Sequence, residues 1–255
     1  MPFQSIDMIA ALWFIALSLG YQFVTSCEPL YSRSIASAIQ RRRIAWMHEM
    51  ANRDPRIVDA QLLANLTQGS GFFASTTLII SGALATLMGS GHAVQVSLER
   101  LPFVAHSSPV LWEVKLILLM SIFVFAFFKF AWAFRLSHYA AIMIGSCPPR
   151  SDNNAAQCDH HACATAQLVG IAASHSTKGL RSFYHAIAAV SWFVHPLLFI
   201  GTTSYVIIVL IRRDFFSRAL QAVSVMPVGA ESGGRDAERH DSQSEAVAAC
   251  DAKAN

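Results

Sequence analysis

Long apolar runs separated by polar stretches dominate the chain. Four of these runs lie at about residues 6–24, 72–88, 112–134 and 183–211. Each approaches or exceeds the roughly 20 residues that a helix needs to cross the apolar core of a bilayer, which is about 30 Å thick. The pattern predicts an all-α fold, in which four transmembrane helices form an integral membrane bundle.

The stretch between the first two runs, from Glu28 to Pro55, has a different pattern. Apolar residues recur there at helical spacing among basic ones, which predicts an amphipathic cytoplasmic helix after the first span. This helix could lie in the headgroup region with its arginines on anionic lipid, or pack on the bundle as a solvated helix. The candidate lipid-headgroup residues are three arginines of this helix and one that follows the third span: Arg41, Arg42, Arg43 and Arg135.

The last thirty or so residues differ from the rest. Residues 1–225 are predicted to form one membrane domain with the four spans. Residues 226–255 are rich in Gly, Ser, Ala and charged residues and contain too few apolar ones to build a core. They are predicted to be a disordered tail.

Composition narrows the class of protein. The chain is 54% hydrophobic and 14% charged, against roughly 25% charged for a soluble domain. The net charge of +3 is small and dispersed, which argues against nucleic acid as a partner. The run from Cys158 to Cys163 lacks the ligand spacing of a structural zinc site. No metal, no cofactor and no catalytic residue set is therefore predicted.

The basic residues also predict an orientation in the membrane. Six lie between the first and second spans, one between the second and third, and four between the third and fourth. Because basic loops stay in the cytoplasm, both termini are predicted on the outer, periplasmic side of an inner membrane. Arg212, Arg213 and Arg218, which closely follow the fourth span, are the one discordant feature.

Several strings resemble a known family. RIVDAQLLANL with FFASTTLIISGALATLMG, then KLILLMSIFVFAFFKFAWAFRLSHY and GLRSFYHAIAAVSWF, are similar to the helix signatures of the domain-of-unknown-function 599 family of multi-pass membrane proteins. The resemblance covers roughly residues 5 to 215. It implies four transmembrane helices in a bacterial-type inner membrane and no assigned reaction. This chain departs from the pattern at Ser176-Thr177-Lys178, where the family has an aromatic residue followed by asparagine.

Lys129 is the first candidate site residue, because a charge inside an apolar span costs free energy. It could anchor the helix by extending toward the headgroups near Arg135. Alternatively, it could face the bundle interior and meet a polar stripe on the second span, formed by Asn65, Gln68 and Ser75. In that position it could hold an anionic headgroup or a substrate.

His195 is the second candidate. Pro196 follows it and cannot donate to the carbonyl four residues back, so a kinked helix with a free acceptor beside a titratable group is expected. Such a group could belong to a proton-coupled path, or could simply bond a neighbouring helix. A haem site would need a pair such as His138 and His185 at matching depth.

These observations favour a non-enzymatic scaffold or accessory subunit that acts through membrane lipids or protein partners, including another copy of the chain. A small transporter or channel, built on Lys129, His195 and the polar stripe, is the alternative. A membrane-embedded haem protein or enzyme is a third interpretation.

Overall fold

The computed structural model describes residues 5–100, 104–105 and 108–225. Every regular element in those ranges is a helix, and none is a strand. The predicted disordered tail lies outside the described residues. The helices are α1 Ser5–Ser26, α2 Glu28–Tyr31, α3 Ile35–Ala51, α4 Ile57–Glu99, α5 Pro109–Ser146, α6 Ala155–Ser191, α7 Pro196–Phe215 and α8 Arg218–Val225, with a 3-10 turn at Asp152–Asn154.

Four segments of the described helices are long and apolar enough to cross a membrane: Ser5–Thr25, Ile57–Gly89, Pro109–Ser146 and Pro196–Val223. Their number equals that of the apolar runs, but the fourth segment, Pro196–Val223, covers only part of the run at 183–211. The first three predicted spans lie inside α1, α4 and α5. A long helix also follows the first span, namely α3.

The fourth predicted span is wrong as a single helix from 183 to 211. Helix α6 continues to Ser191, the chain turns at residues 192–195, and α7 begins at Pro196. Proline disfavours helical geometry at the residue before it, yet suits the first position of a new helix. The His195 carbonyl accepts from the Phe199 amide (3.1 Å), and His195 Nδ1 accepts from the Leu197 amide (3.1 Å). His195 therefore caps α7 instead of standing beside a kink.

The turn makes α6 and α7 an antiparallel hairpin. Close to the turn, the hydroxyls of Ser191 and Thr202 are 2.6 Å apart. Farther along, Arg213 donates to the Tyr184 hydroxyl at 3.0 Å. The C-terminal end of α7 therefore lies far from the turn.

Helix α1 runs parallel to α7. Trp13 Nε1 donates to the Ser204 hydroxyl at 3.0 Å, and Tyr21 packs in one apolar cluster with Leu210. The N-terminal end of α1 therefore lies beside the turn, at the opposite end from the C-terminus of α7. The prediction of both termini on the periplasmic side counted 183–211 as a single crossing, and it stays a prediction.

The described chain divides into two compact units. The first unit consists of the described parts of residues 1–30, 71–131 and 176–213, and the second of those of residues 31–70, 132–175 and 214–255. The core of the first unit is apolar and rich in aromatic rings, including Phe14 of α1 and Phe199 of α7, whose ring centroids are 5.2 Å apart. Large apolar side chains such as Leu19 and Ile79 point outward, as expected for helices in lipid.

The second unit has its own core. Ile44, Met47 and Met50 of α3 are buried there against α5 and α6 residues such as Ile144. The burial of one α3 face supports the interpretation of a helix packed on other helices.

Candidate functional site

Lys129 lies on α5, half-buried, with its ammonium group over the Phe125 ring at 5.0 Å from the centroid. Phe125 lies one turn nearer the N-terminus of α5. Lys129 reaches it because helical side chains lean toward the N-terminus of their helix. The ammonium group thus points away from Arg135, and the structure does not show the extension toward that helix end which anchoring predicted.

Helices α5 and α6 approach each other closely beside Lys129. A Cβ atom added to Gly179 of α6 would stand 2.8 Å from the Phe130 ring, so only glycine fits this crossing. Lys129 precedes Phe130, and Lys178 precedes Gly179. The charges of Lys129 and Arg181 act on the Lys178 ammonium group. We call Lys129, Lys178 and Arg181 the cationic cluster.

Asn65 of the predicted polar stripe lines an open pocket with Trp46 of α3 and with Leu62 and Leu66 of its own helix. Asn65, Gln68 and Ser75 are all exposed on α4. Asn65 Oδ1 accepts from Gln61 Nε2 at 3.4 Å, and the Ser75 hydroxyl donates to the Gly71 carbonyl at 3.2 Å. Helical spacing placed these residues on one side of α4, but it could not tell which side the other helices cover.

The structure does not bring Lys129 and His195 together. Lys129 lies beside Gly179, whereas His195 caps α7 at the turn that follows Ser191. The twelve residues from Gly179 to Ser191 separate them by about 18 Å along α6, at about 1.5 Å per residue. His138 bonds the carbonyl of Phe134 on its own helix.

The four candidate headgroup arginines differ in how accessible they are. Arg41 and Arg135 are exposed, and each bonds a side chain one turn away on its own helix. Arg42 donates to the Val223 carbonyl at 3.1 Å, and Arg43 is half-buried. Arg41 and Arg135 are therefore the two best placed to meet a headgroup.

A buried charged group at the turn was missed by sequence reasoning. Asp7 is 4% exposed and its Oδ1 accepts from Trp192 Nε1 at 2.9 Å. Lys115 is 2% exposed, with Nζ 5.5 Å from the centroid of the same indole. A carboxyl and an ammonium group thus contact one indole in an apolar setting. The contacts hold α1, α5 and the turn together.

A family model described as "Protein of unknown function, DUF599" matches residues 9–219 of the chain. The chain belongs to the DUF599 family. This confirms the resemblance found in the helix signatures. Neither the curated proteins nor the solved structures contain a significant match.

The match covers most of this DUF599 protein but assigns no reaction to it. The cationic cluster, Lys115 and Trp192 lie inside the matched range, and Asp7 lies just before it. Among the described residues, no group of three or more His, Cys, Asp or Glu side chains could hold a metal ion.

Proposed function

We propose that this DUF599 protein is a multi-pass protein of a bacterial-type inner membrane that acts without catalysis, as a scaffold or accessory subunit. Its basic end would engage anionic lipid and, through it, a membrane-protein partner or another copy of the chain. The observation that carries this proposal is the separation of charge along the first unit.

Basic side chains concentrate at the end of the first unit that lies away from the turn. They come from α5, α6 and α7: Lys129, Lys178, Arg181, Arg212 and Arg213. Asp7 and Glu113 lie at the turn end, whereas Glu28 begins α2, just after the C-terminal end of α1. Two basic residues also lie near that end: Arg100, which follows the last residue of α4, and Lys115 of α5.

This separation supports one orientation. Basic flanks of membrane helices stay in the cytoplasm, so the basic end would be cytoplasmic and the turn periplasmic. The N-terminal end of α1 would then be outside and the C-terminal end of α7 inside, with the C-terminal part of α6 as a fifth crossing beside the four apolar segments. Arg212 and Arg213, discordant when 183–211 counted as one crossing, now agree with the rule, because the hairpin returns the chain to the basic end.

The transporter interpretation loses its main support. It needed a polar path that includes Lys129 and His195, and within the first unit these two residues lie beside opposite ends of residues 179–191 of α6. The lipid interpretation needs a basic surface beside apolar helices that face outward. Exposed Arg41 of α3 and exposed Arg212 of α7 each support it within their own unit.

Orientation can be tested with single cysteines in a background where the five native cysteines are replaced by serine. Ser5→Cys should react with a membrane-impermeant maleimide in intact spheroplasts, and Gln221→Cys should react only after the membrane is opened. Both positions are exposed in the fold. Labelling of Gln221→Cys in intact spheroplasts would reject the orientation.

The proposed binding of anionic lipid needs a second measurement. Lipids that co-purify with the protein should be enriched in anionic phospholipid relative to the whole membrane. A composition equal to that of the bulk membrane would reject anionic lipid as the partner.

A further inference from the structure

We infer that the cationic cluster is a binding site for the phosphate headgroup of one anionic phospholipid, held by Lys129 and Lys178 with Arg181 beside them. The inference rests on the proposed function and assigns one lipid to a named position. Neither the family match nor the charge separation alone assigns such a site.

The first argument is the geometry of the crossing. The missing Cβ of Gly179 lets α6 approach the Phe130 ring, and this places the two lysines on adjacent helices beside one contact. Lys178 is exposed and Lys129 is half-exposed, so a ligand can reach both from outside the bundle. The Arg181 guanidinium lies over the Tyr21 ring at 5.0 Å, which fixes its direction.

The second argument is charge. In the part of the chain that the structure describes, neither Lys129 nor Lys178 forms an ion pair with a carboxylate. Asp7 and Glu113, two acidic residues of the first unit, lie at the turn end. Like charges gathered beside an apolar surface repel one another where the dielectric constant is low, and a bound anion would turn that repulsion into attraction.

The third argument selects a lipid over a soluble anion. Phe125 and Phe128 of α5, which both precede Lys129 along the chain, are 47% and 64% exposed. The Lys129 ammonium group lies over the Phe125 ring and so is drawn toward this apolar surface. A phosphate that carries acyl chains can contact the lysines and the rings together, whereas a free phosphate uses the lysines alone.

The experiment measures lipid binding to the purified full-length protein in zwitterionic nanodiscs, with a fluorescent phosphatidylglycerol as probe. Replacing both lysines, in Lys129→Met/Lys178→Met, should weaken binding about 30-fold, since each basic group near a membrane surface contributes about 5-fold. Lys129→Arg/Lys178→Arg should bind as the parent does. The matched control Arg100→Met/Arg218→Met removes two exposed charges elsewhere and should also bind as the parent does.

Equal weakening in the control and in the lysine pair would overturn the site while leaving general attraction to anionic lipid intact. Glycerol phosphate that displaces the probe as well as unlabelled phosphatidylglycerol does would overturn the lipid assignment. Displacement by phosphatidylcholine would overturn the requirement for charge. If the double variant does not fold by circular dichroism, the single variants decide, each with an expected loss of about 5-fold.

Discussion

The hydrogen bond between Trp192 and Asp7 makes a sharp test of the fold, because it joins residues 185 positions apart. Trp192→Phe keeps an aromatic ring against Phe199, whose centroid is 5.0 Å away, but removes the indole N–H. Both partners are nearly inaccessible, at 3% and 4% exposed. A buried hydrogen bond to a charged group contributes about 1.5–3 kcal/mol, so we expect a loss of about 2 kcal/mol in unfolding free energy.

Trp13→Phe is the matched control. It makes the same chemical change, but its indole is 44% exposed and bonds the neutral Ser204 hydroxyl. Side-chain hydrogen bonds in membrane proteins average about 0.6 kcal/mol, and that is the loss expected here. The assay is reversible unfolding in mixed micelles of mild detergent and dodecyl sulfate, followed by far-ultraviolet circular dichroism.

A double-mutant cycle isolates the contact. In the Asp7→Asn background the remaining acceptor is neutral, so Trp192→Phe should cost less, with a coupling energy of about 1 kcal/mol. Equal losses of unfolding free energy in the two tryptophan variants, or a coupling energy below about 0.5 kcal/mol, would refute the buried Trp192–Asp7 contact.

Two further predictions concern packing and pH. Gly179→Ala should destabilise the protein, because the added Cβ would stand 2.8 Å from an aromatic ring of α5. Gly82→Ala, whose added Cβ would meet nothing within 4 Å, should stabilise the protein by up to about 1 kcal/mol. Changes in unfolding free energy that have the same sign for both substitutions would contradict this. Burial raises the pKa of Asp159, but the hydrogen bonds and charge of Arg150, followed by those of His48, outweigh it and lower that pKa below its ordinary value. The resulting stability is present above the unfolded pKa of about 3.9 and is lost as pH falls through the folded value. Arg150→Gln should therefore be less stable than the parent near pH 7, and the difference should shrink below about pH 4; a difference that stays constant over this range in pH-resolved unfolding would refute the pairing.

The sequence alone determined the class of protein, because length and mean apolarity are local properties of a helix. Three predicted spans lie within α1, α4 and α5, and the helix signatures matched the family that the chain belongs to. The apolarity of residues 183–211 gave no sign of a turn, since the residues of a buried turn are as apolar as those of a helix. Pro196 was the one local signal of the break, and a kink explained it equally well.

Only the tertiary structure decided which charged groups meet. The spacing along α4 placed Asn65, Gln68 and Ser75 on one side but could not show that this side is exposed. Lys129 lies next to Lys178 because Gly179 lets α6 approach α5, a contact between residues about fifty positions apart. Apolarity puts a helix in a membrane. The crossings of that helix with other helices determine whether a charged residue on it faces lipid, another charge or the ring of a distant tryptophan.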